Sequence, residues 1–143
     1  MIQWKEGHEE KWLEEKGVKP TANRVIVLKA LSVAKQPKGL IELEDMIETM
    51  DKSSIFRVLS LFVEHEVVHV FEDGKGILKY ELCTVQRHCS IYDTHIHFYC
   101  EVCQQTFCLK SQQVPEVKLP DGYAAHSINY MVKGICPKCK KNG

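Results

Sequence analysis

Apolar positions recur at helical spacing in the first half of the chain and alternate in the second. Trp12 and Leu13 anchor an otherwise polar stretch, His8 to Lys16, which predicts a short amphipathic helix with Gly17 as its stop. Thr21 is an N-cap for a second helix, Ala22 to Val33, entered from Pro20. Its stripe runs through Val25, Leu28 and Ser32 and is widened by Ile26, Ala30 and Leu31, so this helix is largely buried. Lys35 to Gly39 is a loop, and Leu43, Met46, Ile47 and Met50 mark a third helix. Asp51 or Ser53 caps a fourth, in which Ile55, Val58, Leu59 and Phe62 form the inner stripe. Ser54, Phe56, Arg57 and Ser60 fall on its other face.

From Val67 the period becomes two: Val68, Val70 and Glu72 alternate with Val67, His69 and Phe71. Asp73-Gly74 is a hairpin turn signal and Ile77 to Leu82 the return strand. Helices followed by a β-hairpin are the order of a winged helix, with the fourth helix as recognition helix and Asp73-Gly74-Lys75-Gly76 as wing tip. Thr84 to Thr94 has no period and reads as a hinge. His95 to Cys100 and Thr106 to Leu109 are strands, and Val114-Pro115 and Leu119-Pro120 frame a connection with one helical turn. Tyr123 to Val132 predicts a third strand, Gly134 loosens the backbone after it, and the tail Lys140 to Gly143 is frayed. The chain therefore reads as α+β, with a winged helix-turn-helix domain over 1–83, a hinge over 84–94 and a zinc-containing domain over 95–143. It holds no internal repeat and no low-complexity segment.

Composition changes this picture little. The chain has 143 residues, 44% of them hydrophobic and 27% charged, as in a soluble globular protein. No apolar run is long enough to span a bilayer. Nineteen basic residues balance nineteen acidic ones, so contact with nucleic acid would need a local basic face rather than a bulk field. Met1-Ile2-Gln3-Trp4-Lys5 leads into charged sequence without a signal-peptide pattern, which predicts a cytoplasmic chain with reduced thiols.

The cysteines carry the sharpest chemistry. Cys100-x-x-Cys103 and Cys136-x-x-Cys139 supply four thiolates, the ligand set of a structural zinc site. Seven cysteines is an odd number for disulfides, and the first pair leads into a turn and a strand rather than into a thioredoxin-like helix, so zinc is favoured over both. His95 and His97 lie on one face of a strand beside the first pair and suit a transition metal, and Glu81 at the end of the wing could reach the same ion. Cys108 faces either the core or a metal, and Cys83, Cys89 and His126 are spare donors. Phe56 lies at the edge of the buried stripe, so it is either a core residue or a reader of thymine methyls, with Ser53, Ser54 and Arg57 beside it. Lys19, Arg24, Lys52, Lys75 and Lys79 are candidate phosphate contacts on a surface whose charges are otherwise mixed.

Taken in order, these motifs resemble the ferric uptake regulator (Fur) family. Gly17-Val18-Lys19-Pro20-Thr21-Ala22-Asn23-Arg24 is similar to its G-x-K-x-T-x-x-R opening, and Ser53-Ser54-Ile55-Phe56-Arg57-Val58-Leu59 to its A-T-V-Y-R-x-L recognition helix. Tyr80-Glu81-Leu82, His95-x-His97-x-x-Cys100-x-x-Cys103 and Gly134-x-Cys136-x-x-Cys139 follow in the family's order. The resemblance covers essentially the whole chain. It implies a homodimeric, metal-responsive repressor on A/T-rich palindromic DNA, with a winged helix and a C-terminal α/β dimerisation domain. By position it implies structural Zn2+ on Cys100, Cys103, Cys136 and Cys139, and a regulatory Fe2+, Zn2+ or Mn2+ on Glu81, His95 and His97, with Cys108 as fourth donor. Phe56 takes the place of the recognition-helix Tyr, and Lys19 that of a minor-groove Lys. Besides Phe56, three positions around the metal ligands depart from the pattern. Leu40 stands where the family has a histidine, Cys108 where it has an acidic ligand, and Ile96 where an acid lies between the two histidines.

Alternatives stay open at this point. The sensed signal stays open between iron, zinc, manganese and peroxide, with a Cys108 thiolate shifting preference towards zinc, and loss of the Leu40 ligand fits a degenerate sensor. A zinc-ribbon interaction module without DNA binding fits the neutral charge. An enzyme is disfavoured, because no separate general base or substrate pocket is legible.

Overall fold

The computed structural model describes residues 7–34, 36–83, 96–109, 114–125 and 128–142. The chain divides into two compact units, Met1–Phe71 with Ile77–His88, and Glu72–Gly76 with Cys89–Gly143.

The first unit carries α1 (Glu9–Glu15), α2 (Ala22–Val33), α3 (Leu40–Met46), α4 (Lys52–Glu64), β1 (Val68–Glu72, its last residue grouped with the second unit) and β2 (Leu78–Leu82). Their apolar stripes converge on Trp12, Leu13, Val27, Leu28, Leu43, Ile55, Leu59, Phe62 and Val67, all fully buried. At about 1.5–3 kcal/mol for each fully buried large aliphatic or aromatic side chain, this cluster is what holds the helices together. Thr21 caps α2, its hydroxyl accepting from the Arg24 N–H, as the sequence predicts.

The start of α4 is fixed by Asp51 rather than Ser53. The Asp51 carboxylate accepts the Ser54 N–H at 2.8 Å, while Ser53 is an exposed residue of the first turn. Helix α3 ends earlier than its apolar spacing predicts: Ile47 is already its C-cap, and Met50 is buried from the turn that follows.

Helices α1 and α4 end in the same closure. Val18 N–H reaches Leu13 O at 2.8 Å past Gly17 (φ +76°), and Val67 N–H reaches Phe62 O at 2.8 Å past Glu66. Glu66 holds φ 59° without being glycine, a left-handed residue the sequence does not announce.

Strands β1 and β2 form the wing sheet, and Lys38 joins β2 by paired bonds with Tyr80, N–H to O at 3.0 and 2.8 Å. Between them, Asp73-Gly74 is not a two-residue turn. The connection is longer, with Gly76 N–H on Asp73 O, Lys75 N–H on the Asp73 carboxylate, and Gly76 as its left-handed residue (φ +80°). The asparagine-like side chain of Asp73 initiates the turn, and the glycine that needs positive φ comes three residues later.

The second unit is a three-stranded sheet in the order β4-β3-β5, built from β3 (Ile96–Cys100), β4 (Thr106–Leu109) and β5 (Tyr130–Gly134), with α5 (Pro137–Asn142) after it. Strand β3 pairs antiparallel with β4, placing His97 opposite Cys108, and parallel with β5, placing Cys100 opposite Gly134. A side chain at Gly134 would press on the Phe98 ring, its Cβ 3.1 Å from Cζ, so glycine permits this close approach.

Three expectations change here. The tail is helical, because Pro137 presets the first turn of α5. The third strand begins at Tyr130, and residues 123–125 are irregular. Residues 114–120 contain no helical turn, in keeping with prolines at both ends. His95, Cys89 and His126 lie outside the described residues.

Hydrogen bonding from Ser54 and the nearby Arg57 charge hold Asp51 below the ordinary aspartate range. A carboxyl depressed by folding contributes stability above its unfolded value, about 3.9, and loses that contribution as pH falls through the folded one. Asp51→Ala should therefore lower the melting temperature at neutral pH. The difference from wild type should vanish in acid below that range, read by circular-dichroism melts across pH.

Candidate metal centres

The four-cysteine cluster is assembled by the sheet. Cys100 ends the central strand β3, and Cys136 lies two residues past the parallel neighbour β5, so two strand ends place both pairs side by side. The first pair sits on a knuckle closed by Gln104 N–H to Cys100 O (2.8 Å) and Cys100 N–H to Gln105 O (3.0 Å), with Gln104 left-handed at φ 62°. Glu101 N–H donates to Gly134 O at 2.8 Å and ties the knuckle to β5. The second pair occupies the approach and first turn of α5, where Lys140 N–H donates to Cys136 O at 2.9 Å.

All four sulfurs lie within 4.8 Å of one another, and Cys103 and Cys136 Sγ are 3.9 Å apart. A tetrahedron with metal–sulfur bonds of about 2.3 Å has edges of about 3.8 Å, so this cage has the size of a tetrathiolate site. Burial alone would raise the Cys100 thiol, but N–H groups of Cys103 and Cys136 aimed at its sulfur, at 3.5 and 3.4 Å, help bring it down to about 6. Cys139 moves the other way, pushed up to about 12 by its hydrogen bond to Cys136, by burial and by the remaining thiols. Four sulfurs this close cannot all be anionic without a cation between them; a divalent ion removes that conflict.

A second set of donors is only partly visible. His97 is buried on β3 and Cys108 is its ladder partner on β4, with their donor atoms within 4.8 Å of each other. Cys108 is thus not packed in a hydrophobic core but stands beside a buried imidazole. Glu81 lies on β2 in the first unit, half-buried, where its charge, after the Cys83 hydrogen bond, helps raise His69 above the usual histidine range. Leu40 opens α3 as an apolar residue with no ligand atom.

On α4, Phe56 is 49% exposed, which settles its place outside the core. Lys52, Ser53 and Arg57 are exposed beside it, and Ser54 is half-buried at the cap. Lys19 is exposed, whereas Arg24 turns one guanidinium nitrogen onto Lys19 O at 2.9 Å and braces the turn before α2. Lys75 donates to the Gln104 side chain at 2.6 Å, within the second unit, and Lys79 is paired with Glu42. No sequence signal marked the left-handed Gln104 or the N–H groups on Cys100, because both are properties of the folded knuckle.

A helix-turn-helix with a two-stranded wing, joined to a small sheet bearing a four-thiol cage, defines a winged-helix regulator class. The sequence model of the Ferric uptake regulator family matches residues 15–121. The chain belongs to that family. Among solved structures, a zinc uptake regulator complexed with zinc and DNA is similar at 19% identity, with TM-score 0.67 over 93% of this chain and 91% of that one. The ferric uptake regulator of Helicobacter pylori, described as having three functional metal-binding sites, is similar at 16% identity and TM-score 0.62, over 98% and 97% of the two chains. That of Vibrio cholerae gives 19% identity and TM-score 0.62, over 89% and 98%. No curated protein gives a match to the sequence.

Because each thiol must release its proton to bind metal, affinity at the four-cysteine site should weaken as pH falls. A zinc titration against a chromophoric chelator between about pH 8 and pH 6 should show proton release and this decline. Cys136→Ser should reduce zinc affinity by at least about tenfold and lower the melting temperature of metal-loaded protein towards that of chelator-treated wild type.

Proposed function

We propose that the protein is a metal-dependent DNA-binding transcriptional repressor that acts as a homodimer in the cytoplasm and catalyses no reaction. In this reading residues 1–83 bind DNA, 84–94 form a hinge, and 95–143 dimerise around structural Zn2+ on Cys100, Cys103, Cys136 and Cys139. The observation that carries it is the exposed outer face of α4, with Ser53, Phe56 and Arg57 presented from a winged helix in a chain of this family. A two-fold axis would place two such helices on a palindromic, A/T-rich duplex. Lys19, Arg24, Lys52 and Lys75 supply phosphate contacts, with Ser54 at the cap. The apolar side chains left exposed in the second unit, Val117, Leu119, Tyr123, Val132 and Ile135, support burial against a second copy.

The regulatory ion is proposed to be taken by Glu81, His95, His97 and Cys108. The cross-strand pairing of His97 with Cys108 favours zinc over iron or manganese as the sensed metal, because a thiolate is a soft donor. The competing reading, a zinc-ribbon interaction module that has lost metal sensing, draws its support from the ligand lost at Leu40.

Two measurements test this reading. Phe56→Ala should weaken operator binding by about 1–3 kcal/mol relative to random duplex, whereas Lys52→Ala should weaken all sequences alike and flatten the salt dependence. Normal operator binding by folded Phe56→Ala would overturn the assignment of α4. Metal titration into protein with its four-cysteine site filled should show a second ion in the wild type, lost in His97→Ala, with zinc affinity falling in Cys108→Ser. No second ion in the wild type would favour the interaction module.

A further inference from the structure

The first unit carries an apolar groove of about 530 Å³ between the start of α3, the first turns of α4 and the start of β2. That volume falls in the range of small-molecule sites, roughly 300–1,000 Å³. Its walls explain a set of exposed apolar side chains that the winged helix does not need. Ile41 is 64% exposed, Phe56 and Ile77 49%, and Leu78 46%, and all four line this one groove together with Leu40. Large apolar side chains gathered in one concavity mark a binding site far more often than the same residues scattered singly.

The rim adds a sign of charge. Glu42 is the only carboxylate in the lining, and it is neutralised where it stands by a salt bridge from Lys79, a second from Lys38 at 3.6 Å, and the Gly39 N–H at 3.1 Å. Burial pushes its carboxyl up, but the hydrogen bonds from Lys79 and the Gly39 N–H, with the charges of Lys79 and Lys38, hold it below the ordinary glutamate range. Lys52, on the opposite wall at the first residue of α4, is exposed, and the ion pairs among the described residues join Glu42 to Lys38 and Lys79 and leave Lys52 out. Among the lining side chains Lys52 and Lys79 stand against Glu42, and with Lys79 paired to Glu42 the excess positive charge over the apolar floor is that of Lys52.

We propose that this groove binds a small organic acid with an apolar body, a medium-chain or aromatic carboxylate, its tail against Leu40, Ile41, Phe56, Ile77 and Leu78 and its carboxylate on Lys52. The site lies wholly within the first unit and requires no metal. It occupies the ground that Leu40 leaves apolar at the start of α3, so a position without a metal-binding atom becomes part of an effector pocket. A bound acid covers the Phe56 ring. Occupation therefore competes with duplex DNA, a consequence that rests on the DNA-binding reading of α4, whereas the pocket itself does not.

Calorimetric titration of the full-length protein with decanoate and with decanol, both below self-association, separates these elements. Saturable one-to-one binding of decanoate is expected, with decanol weaker by about tenfold. Lys52→Gln should bring decanoate down to the level of decanol. Ile41→Asp and Leu78→Glu, at exposed positions, should abolish binding of both ligands without changing the melting temperature. Absence of saturable decanoate binding, or undiminished binding in both groove variants, would overturn the pocket, and equal affinity for decanol would overturn the anionic class. In a gel shift, decanoate should release duplex from wild type but not from Ile41→Asp. A protein that binds no duplex at all defeats the DNA reading while the calorimetry still decides the pocket.

Discussion

Four sulfurs brought within 4.8 Å of one another are the constraint on which the second unit depends. The hydrophobic cluster of the molecule lies entirely in the first unit. In the second, the buried side chains include Tyr99, Cys100, Cys136, His97 and Thr106, with no large aliphatic fully enclosed among the described residues. Such a sheet has little apolar burial to set against the entropy of ordering its strands, and a cation between the thiolates would supply a cross-link at the point where β3 and β5 end. The polarisation of the site follows from the same geometry. N–H groups directed at Cys100 favour its thiolate, while the neighbouring thiols push Cys139 up. Metal loading at this cage would then be coupled to the folding of the unit.

The first unit solves the opposite problem. Its core is closed by apolar side chains of four helices and by two helix ends that terminate through left-handed residues, so its packing rests on apolar burial. That self-sufficiency frees its surface for recognition. The face of α4 opposite the stripe is polar near its start except for Phe56, and the space between α3, α4 and β2 is lined largely by apolar side chains. Leu40 is the residue on which these two facts meet. As an apolar first residue of α3 it has no ligand atom, and it adds a wall to the groove beside Phe56.

The sequence by itself determined a good deal. Periodicity placed α2 at its observed limits, because a stripe through Leu28 and a cap at Thr21 are both local features. It marked Ile55, Val58, Leu59 and Phe62 as the inner face of α4, and the two C-x-x-C pairs as partners in one cluster, which the fold brings together. It failed where local and long-range forces part company. Asp73-Gly74 carries the composition of a tight turn, yet the hairpin connection is longer. The tail reads as frayed because it is a terminus, yet Pro137 starts a helix that runs into it. Only the tertiary structure decided whether Phe56 belonged to the core. It alone paired His97 with Cys108 across two strands, aimed backbone N–H groups at Cys100 and gathered Ile41, Ile77 and Leu78 around Phe56. Those features depend on strand register and on the meeting of segments distant in the chain, and spacing along a sequence records neither.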